Sequence, residues 1–419
     1  MTINDLMARG GALNDVQLLN EKLKRPKTTN VLTKRSFGMM KTVTPAAGGF
    51  TQIVQMELET DFNMVRIGIP NLHSAAVSGV KVQVAVVNQW VSGGWHLAPT
   101  PSGGTWIDVT FNGAATGTLA ARISAQNASI TYTDLIPLKS IARVDAGGVR
   151  PLLAVKIQYP DGAVVTGPAN DFYQWRTFTN TYGRQMRVSS MPLLGIDTPA
   201  SYTTTTAIDT NACIPVVEYH TLNAGRQVML LGDSTVEGTG ATQRAWGAVQ
   251  RVTTSLSTPD NPIEYYNLGM HGQGANTFMA AYDAFQPTVR ATAIFAAPLS
   301  VNDIAAGGMN YLAYNAARAA IDKLVDSKAD VFILGTLPCN PAFRNVGAND
   351  SKRMDFNKYL AQLRLFTFVD GYVEKFSGVV GGNGQMQIKA GLTSDNVHPN
   401  EAGYEVLKLV VKPYVEMIK

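Results

Sequence analysis

The chain has 419 residues, 45% of them hydrophobic and only 16% charged, with a net charge of +4. That composition excludes a disordered chain and leaves enough length for two domains, each with its own core. No Lys/Arg block of the kind that grips a phosphate backbone stands out, which excludes nucleic acid as a partner.

Cys213 and Cys339 are the only cysteines, and two cysteines in different contexts build neither a disulfide framework nor a zinc cluster. The start of the chain has no apolar core after basic residues, so no secretory signal is expected. The longest apolar run, around 291–301, is too short for a membrane span. The expectation is a protein made in a reducing cytoplasm and needing no metal or other cofactor.

Residues 1–45 read as a polar arm. Asn14 is placed to cap a short helix with Val16, Leu19 and Leu23 on one face, and the basic run Lys22 to Lys27 breaks that pattern. So polar a segment is either a solvated tether or an attachment to a larger assembly or a sister subunit.

From about 46 to 190 the period changes to two, within an accessory domain plus connector expected over 46–222. Gln52 to Leu58, Met64 to Ile69, Val80 to Val86, Trp106 to Phe111 and Leu152 to Tyr159 alternate, with turns such as Gly93-Gly94 and Asp161-Gly162 between them. Short strands with Gly-rich turns predict an antiparallel β-sandwich, jelly-roll-like in character. Trp90, Trp95, Trp106 and Trp175 all fall here. Such residues are either packing elements or platforms for sugar rings. Residues 195–225 look like a connector, with Pro215 to Tyr219 as one more strand before the second domain.

Beyond 223 strands alternate with helices. Strands are expected at Val228 to Leu231, Ile263 to Leu268, Ala293 to Ala297, Val331 to Gly335 and Thr367 to Val369. Helical spacing marks Trp246/Val249/Val252/Leu256, Tyr311/Tyr314/Ile321/Leu324/Val325 and Met354/Tyr359/Leu363. The last helix carries Tyr404/Leu407/Val411, with Pro413 bending or ending it. The alternation predicts a parallel, doubly wound sheet.

Gly232-Asp233-Ser234 ends the first of these strands, with the next helix expected from Ala245. A strand, tight turn and helix lift a hydroxyl out of the carboxyl edge of a sheet, where open α/β sheets hold their ligands. Three other segments leave the same edge: Asn267 to Gly272, Leu299 to Asp303 and Asp395 to Asn400. A serine hydroxyl needs a base, and a histidine base needs a carboxylate to fix its tautomer; His398 and Asp395 supply both. An oxyanion needs fixed donors: the backbone N–H groups of Gly272 and Ser234 and the carboxamide of Asn302. Taken singly, each segment reads as an ordinary turn or helix cap.

Together, these blocks resemble the SGNH (GDSL-type) hydrolases over roughly 226–419. Gly-Asp-Ser falls at Ser234, the Asn-x-x-x-x-Gly block at Gly272, the Asn-Asp block at Asn302, and Asp-x-x-His-Pro-Asn at Asp395 and His398. The resemblance implies a flavodoxin-like three-layer α/β/α domain and metal-free ester hydrolysis through an acyl-serine. Asp233 and His271, beside Ser234 and Gly272, are assigned to substrate binding. Two departures stand out. Ser300 occupies a position that is usually Gly, and His271 one that is usually small, so that its side chain crowds or enriches the acyl pocket.

The leading expectation is a serine esterase removing O-acetyl or another short acyl group from a polysaccharide, cytoplasmic when made and attached to a virion through its arm. Alternatives are a lipase or thioesterase of the same fold, and a non-catalytic glycan-binding or structural virion protein. The intact Ser, Gly, Asn, Asp and His set argues against the last.

Overall fold

The computed structural model describes residues 28–36, 40–43, 50–88, 106–123, 128–143, 149–168, 186–192, 215–241, 246–285, 290–307, 311–339, 350–363, 366–373, 375–380 and 385–418. The first half is built from strands β1 (Thr29–Ser36), β2 (Met40–Val43), β3 (Phe50–Glu57), β4 (Phe62–Asn71), β5 (Val77–Val87), β6 (Ile107–Val109) and β7 (Gly117–Leu119). It continues through β8 (Ser129–Tyr132), β9 (Ile136–Pro137), β10 (Leu152–Tyr159), β11 (Val165–Pro168) and β12 (Met186–Pro192). One antiparallel sheet runs in the order β12-β3-β10-β5-β6, with β7 beside β5, and β2 pairs with β11 apart from it. In a second sheet β4 pairs with β8 and β9. Ile67 and Ile69 of β4 meet Val82 and Val84 of β5 and Val155 and Ile157 of β10 in one apolar cluster, so the two sheets share a core.

The second sheet does not stop there. Strand β13 (Val216–Gly232) is 17 residues long. Its first half pairs antiparallel with β1 and β4. Its second half pairs parallel with β14 (Ile263–Gly269) and β15 (Ala293–Ala296). The parallel part has the order β1-β14-β13-β15-β16-β17, with β16 at Asp330–Ile333 and β17 at Thr367–Phe368. A hairpin of β18 (Ser377–Val380) and β19 (Gln385–Ile388) stands apart.

Helices cover both faces of the parallel part, and that explains why its strands read as continuous apolar runs. On one face Met229, Leu231 and Ile294 pack against α3 (Ala275–Phe285), α4 (Val301–Gly307), α5 (Tyr311–Asp326) and α6 (Asp350–Gln362). On the other, Val228, Leu230 and Phe295 pack against α2 (Ala248–Leu256) and α7 (Glu401–Glu416). In α7 the buried residues Tyr404, Leu407, Val411 and Val415 recur at helical spacing, and the Asn400 side chain accepts the Gly403 N–H at its start.

Some expectations are corrected. The arm of 1–45 contains two strands, β1 and β2, and β1 pairs with both β13 and β14. Residues 1–27, including the helix expected after Asn14, lie outside the described residues, as do Trp90, Trp95 and Trp175. The connector expected at 195–225 falls mostly outside the described residues, and at 222 the strand assignment runs on from Val216 to Gly232. Pro413 does not end the last helix. It sits on the solvent face, where water can take the carbonyl that a proline leaves without a donor. Of the four tryptophans before residue 190, Trp106 is described, half-buried over the Lys156 ammonium at 4.1 Å.

A buried polar network joins the two halves. The Tyr219 hydroxyl donates to Glu264 at 2.9 Å and accepts the Glu59 N–H at 3.3 Å, while Ser257 donates to Glu59 at 2.7 Å. Gln227 bonds the Thr33 backbone in both directions, at 2.7 and 3.1 Å. Removing a hydroxyl from such a network leaves buried polar groups unsatisfied. Tyr219→Phe should therefore cost about 1–3 kcal/mol in urea unfolding and should shift the loss of β structure and of helix together. Two separated transitions would show that the halves unfold independently.

Candidate active site

The parallel half of β13 ends at Gly232, and the chain turns at once into the short helix α1 (Ser234–Glu237). Asp233 caps it in extended conformation, its Oδ1 accepting the Thr235 N–H at 2.9 Å. A separate one-turn helix thus begins at the serine itself, while the helix expected over Ala245 to Leu256 is α2, at Ala248–Leu256. At a first helical position the N–H of Ser234 has no acceptor within its own helix. The Tyr404 hydroxyl, from α7, donates to the Thr239 carbonyl at 2.8 Å, with the Thr235 carbonyl 3.1 Å away sharing that proton, and ties this turn to the opposite helix.

The loop before α7 brings Asp395 and His398 to the serine. Asp395 Oδ1 accepts the N–H groups of Val397 and His398 at 2.9 and 2.8 Å, and its Oδ2 lies 2.6 Å from His398 Nδ1. The other ring nitrogen, Nε2, is 2.9 Å from Ser234 Oγ. Partial burial works to raise the Asp395 carboxyl, but the N–H of His398, its imidazole and the N–H of Val397 outweigh it and hold the group below 3.8. An ionised Asp395 accepts from Nδ1–H and leaves Nε2 to accept from the serine hydroxyl.

Gly272 and Asn302 come from the loops after β14 and β15. Gly272 has φ +70° with open space where a side chain would stand, so only glycine takes this backbone without strain. The Asn302 carboxamide donates to the Gln273 carbonyl at 3.1 Å and to Ser300 Oγ at 3.0 Å, joining the two loops. Ser300, fully buried, also accepts the Asn302 N–H at 3.0 Å and donates to Asp233 Oδ2 at 2.8 Å. Asp303 closes the arrangement by accepting the N–H groups of Ser300 and Ala275. Burial pushes its carboxyl up against those two donors, and nearby Asp233 adds to the rise. At Gly274 a side chain would start 2.2 Å from Asp303 Oδ1.

The assignment of Asp233 to substrate binding is replaced. The residue is 6% exposed, and its two oxygens are committed to Thr235 and Ser300. It braces the turn and the Asn302 loop. Sequence reasoning missed this role, and also Ser300, Asp303, Glu237 and Thr239. The available signal was Ser300 itself, a hydroxyl standing where glycine is usual. His271 does reach the site: its ring stacks on that of His398, centroids 5.6 Å apart and 26° from parallel.

Beside Asp233 and Val397 lies a small open cleft, lined further by Val236, Ala297, Cys339 and Tyr372. Burial pushes the Cys339 thiol up to about 12, so at neutral pH it is not a thiolate and no rival to the serine. Among the described residues no cluster of three His, Cys, Asp or Glu side chains could hold a metal ion, and no helix is long and apolar enough to cross a membrane.

Residues 230–406 match the model of the GDSL-like lipase/acylhydrolase family. No curated protein shows detectable similarity to the chain. Among solved structures it is similar to a GDSL-like lipase from Bacteroides thetaiotaomicron, with 18% identity over 46% of this chain and 89% of that one, and a TM-score of 0.35. A psychrotrophic esterase from Pseudoalteromonas sp. shares 15% identity over 46% and 97% of the two chains, with a TM-score of 0.36. The lipase/acylhydrolase from Enterococcus faecalis shares 13% over 46% and 96%, with a TM-score of 0.32.

A pH dependence follows from the depressed Asp395 carboxyl. A carboxyl lowered in the folded state adds stability above its unfolded pKa, and that stability is lost as pH falls through the folded value. The stability difference between wild type and Asp395→Asn should hold from neutral pH to about 5 and shrink below about 3.8. It should be small, because the Asp395 side chain is 50% exposed. Urea unfolding across that range measures it.

Proposed function

We propose that the chain is a serine esterase working through an acyl-serine intermediate. The observation that carries this reading is the hydrogen-bonded line from Ser234 Oγ through the His398 ring to Asp395, at 2.9 and 2.6 Å. His398 Nε2 takes the hydroxyl proton as Ser234 attacks the ester carbonyl, and Asp395 stabilises the resulting imidazolium. The negative oxygen of the tetrahedral intermediate is taken by the N–H groups of Ser234 and Gly272, and by an Asn302 N–H once it leaves its Gln273 or Ser300 partner. His398 then returns the proton to the departing alcohol. Water, activated by the same ring, releases the acid.

The finer parts of the reading are a short acyl group and a polysaccharide carrier. A small cleft lined by Asp233, Thr235 and Val397, the chain neighbours of Ser234 and His398, is compatible with an acetyl group. The β-rich first half, an accessory β-sandwich in this reading, shares β13 with the hydrolase sheet and would place a polymer across its mouth. Within the same proposal the polar, basic start of the chain attaches the enzyme to a larger assembly such as a virion.

A fluorophosphonate probe should form one covalent adduct on Ser234, absent in Ser234→Ala; a folded wild type that takes up no probe would sink the catalytic reading. Asn302→Ala should lower kcat about 10²–10³-fold with little change in KM. Ser300→Ala, which frees the Asn302 carboxamide from one restraint, should lower kcat roughly tenfold. Turnover of an O-acetylated polysaccharide should exceed that of a long-chain nitrophenyl ester, and the reverse order would favour a lipase.

A further inference from the structure

Beside the Asp395–His398 pair stands a second imidazole backed by a carboxylate. Glu237, one turn after Ser234, is fully buried. Its Oε2 accepts the Thr239 hydroxyl at 2.8 Å, and Thr239 Oγ1 lies 3.2 Å from His271 Nδ1. A threonine hydroxyl has one proton. With that proton given to Glu237, Oγ1 can only accept, so His271 Nδ1 is the donor. The carboxylate itself lies 4.0 Å from the same nitrogen. The tautomer and tilt of His271 are thereby set from behind, as Asp395 sets those of His398. In the neutral ring Nε2 is then the hydrogen-bond acceptor. The His271 side chain is 35% exposed, within reach of a ligand, while its support is buried.

The stacking on His398 fixes which part of a substrate His271 would meet. In the esterase reading, on which this inference rests, His398 Nε2 hands its proton to the departing alcohol oxygen. The atoms next to that oxygen therefore pass along the His398 ring, and the ring stacked beside it is His271. This is the alcohol side of the ester, whereas the sequence had suggested the acyl pocket.

We propose that His271 selects the leaving alcohol. Held by Thr239 and Glu237, it accepts a hydrogen bond from a hydroxyl on the carbon next to the ester-bearing carbon. The preferred substrates are thus esters of vicinal diols and polyols, the class to which sugar hydroxyls belong. A simple alkyl ester lacks the donor.

The test compares 2-hydroxyethyl acetate with 2-methoxyethyl acetate, which share the acyl group and differ in one O–H donor. After division by their rates of hydroxide hydrolysis, wild-type kcat/KM should favour the hydroxyl ester about five- to tenfold, the value of one partly exposed hydrogen bond. The ratio should fall to within about twofold in His271→Phe, which keeps a ring against His398. It should fall likewise in Thr239→Val, which keeps His271 and removes its anchor. A wild-type ratio near one, or a ratio that survives in both variants, would overturn the assignment while leaving the esterase reading standing. An equal loss on both esters with the ratio intact would mean that His271 acts only through His398, and would overturn it too. Wild type that hydrolyses neither ester would overturn the esterase reading and this inference together.

Discussion

The structure depends on the continuity of β13. Its 17 residues belong to two sheets because the chain folds back near Leu222 to Gly225: Lys34 of β1 pairs with Val217 and the next residue, Arg35, with Tyr266, itself the partner of Met229. Its first half is held by β1 and β4 in antiparallel register, its second by β14 and β15 in parallel register. Val217 and Tyr219 face the core of the β-rich half, while Met229 and Leu231 face that of the α/β half. Gly232 ends the strand and Ser234 opens α1 two residues later. The position of the serine is thus referred to both cores. The buried Tyr219–Glu264 and Gln227–Thr33 bonds add polar registration to that apolar frame.

Around Ser234 the supporting groups form a closed set. Asp233 caps α1 and accepts from Ser300; Ser300 accepts from Asn302; Asn302 donates to the Gln273 carbonyl. Displacement of one loop would be felt by the others, because each bond in this chain is made by a buried or half-buried group. Preorganised donors cost no rearrangement when charge develops, whereas both Asn302 carboxamide N–H groups are already occupied here, by Gln273 and Ser300.

Much of this was legible in the residues. The parallel strands were readable because burial on both faces makes Val228 to Leu231 and Ala293 to Ala296 apolar throughout, a pattern that few loops share. The site was readable because its chemistry needs Ser, His and Asp, and the spacing of Asp395 and His398 puts both in one loop. What escaped has physical reasons. β1 is short and polar, and its pairing with β13 is a tertiary fact that no local period reports. Asp233 looked like a ligand because a carboxylate beside a serine invites that reading; only its two partners show that it is spent. Thr239 and Glu237 carry no spacing signal at all, since their link to His271 crosses from α1 to the loop after β14.

The pairing of β1 also bears on the order of events during synthesis. Thr33 meets Gln227 across 194 residues of intervening chain, and Ser36 meets Asn267 later still. Contacts of such separation carry a high closure cost and form slowly. As the chain emerges, the first strand made must wait, exposed, until more than half the protein has been translated. A waiting strand that is polar, as Thr29 to Ser36 is, pairs poorly with other nascent chains. The sparse hydrophobicity that hid β1 from sequence reading thus also makes it a poor partner for stray strand pairing.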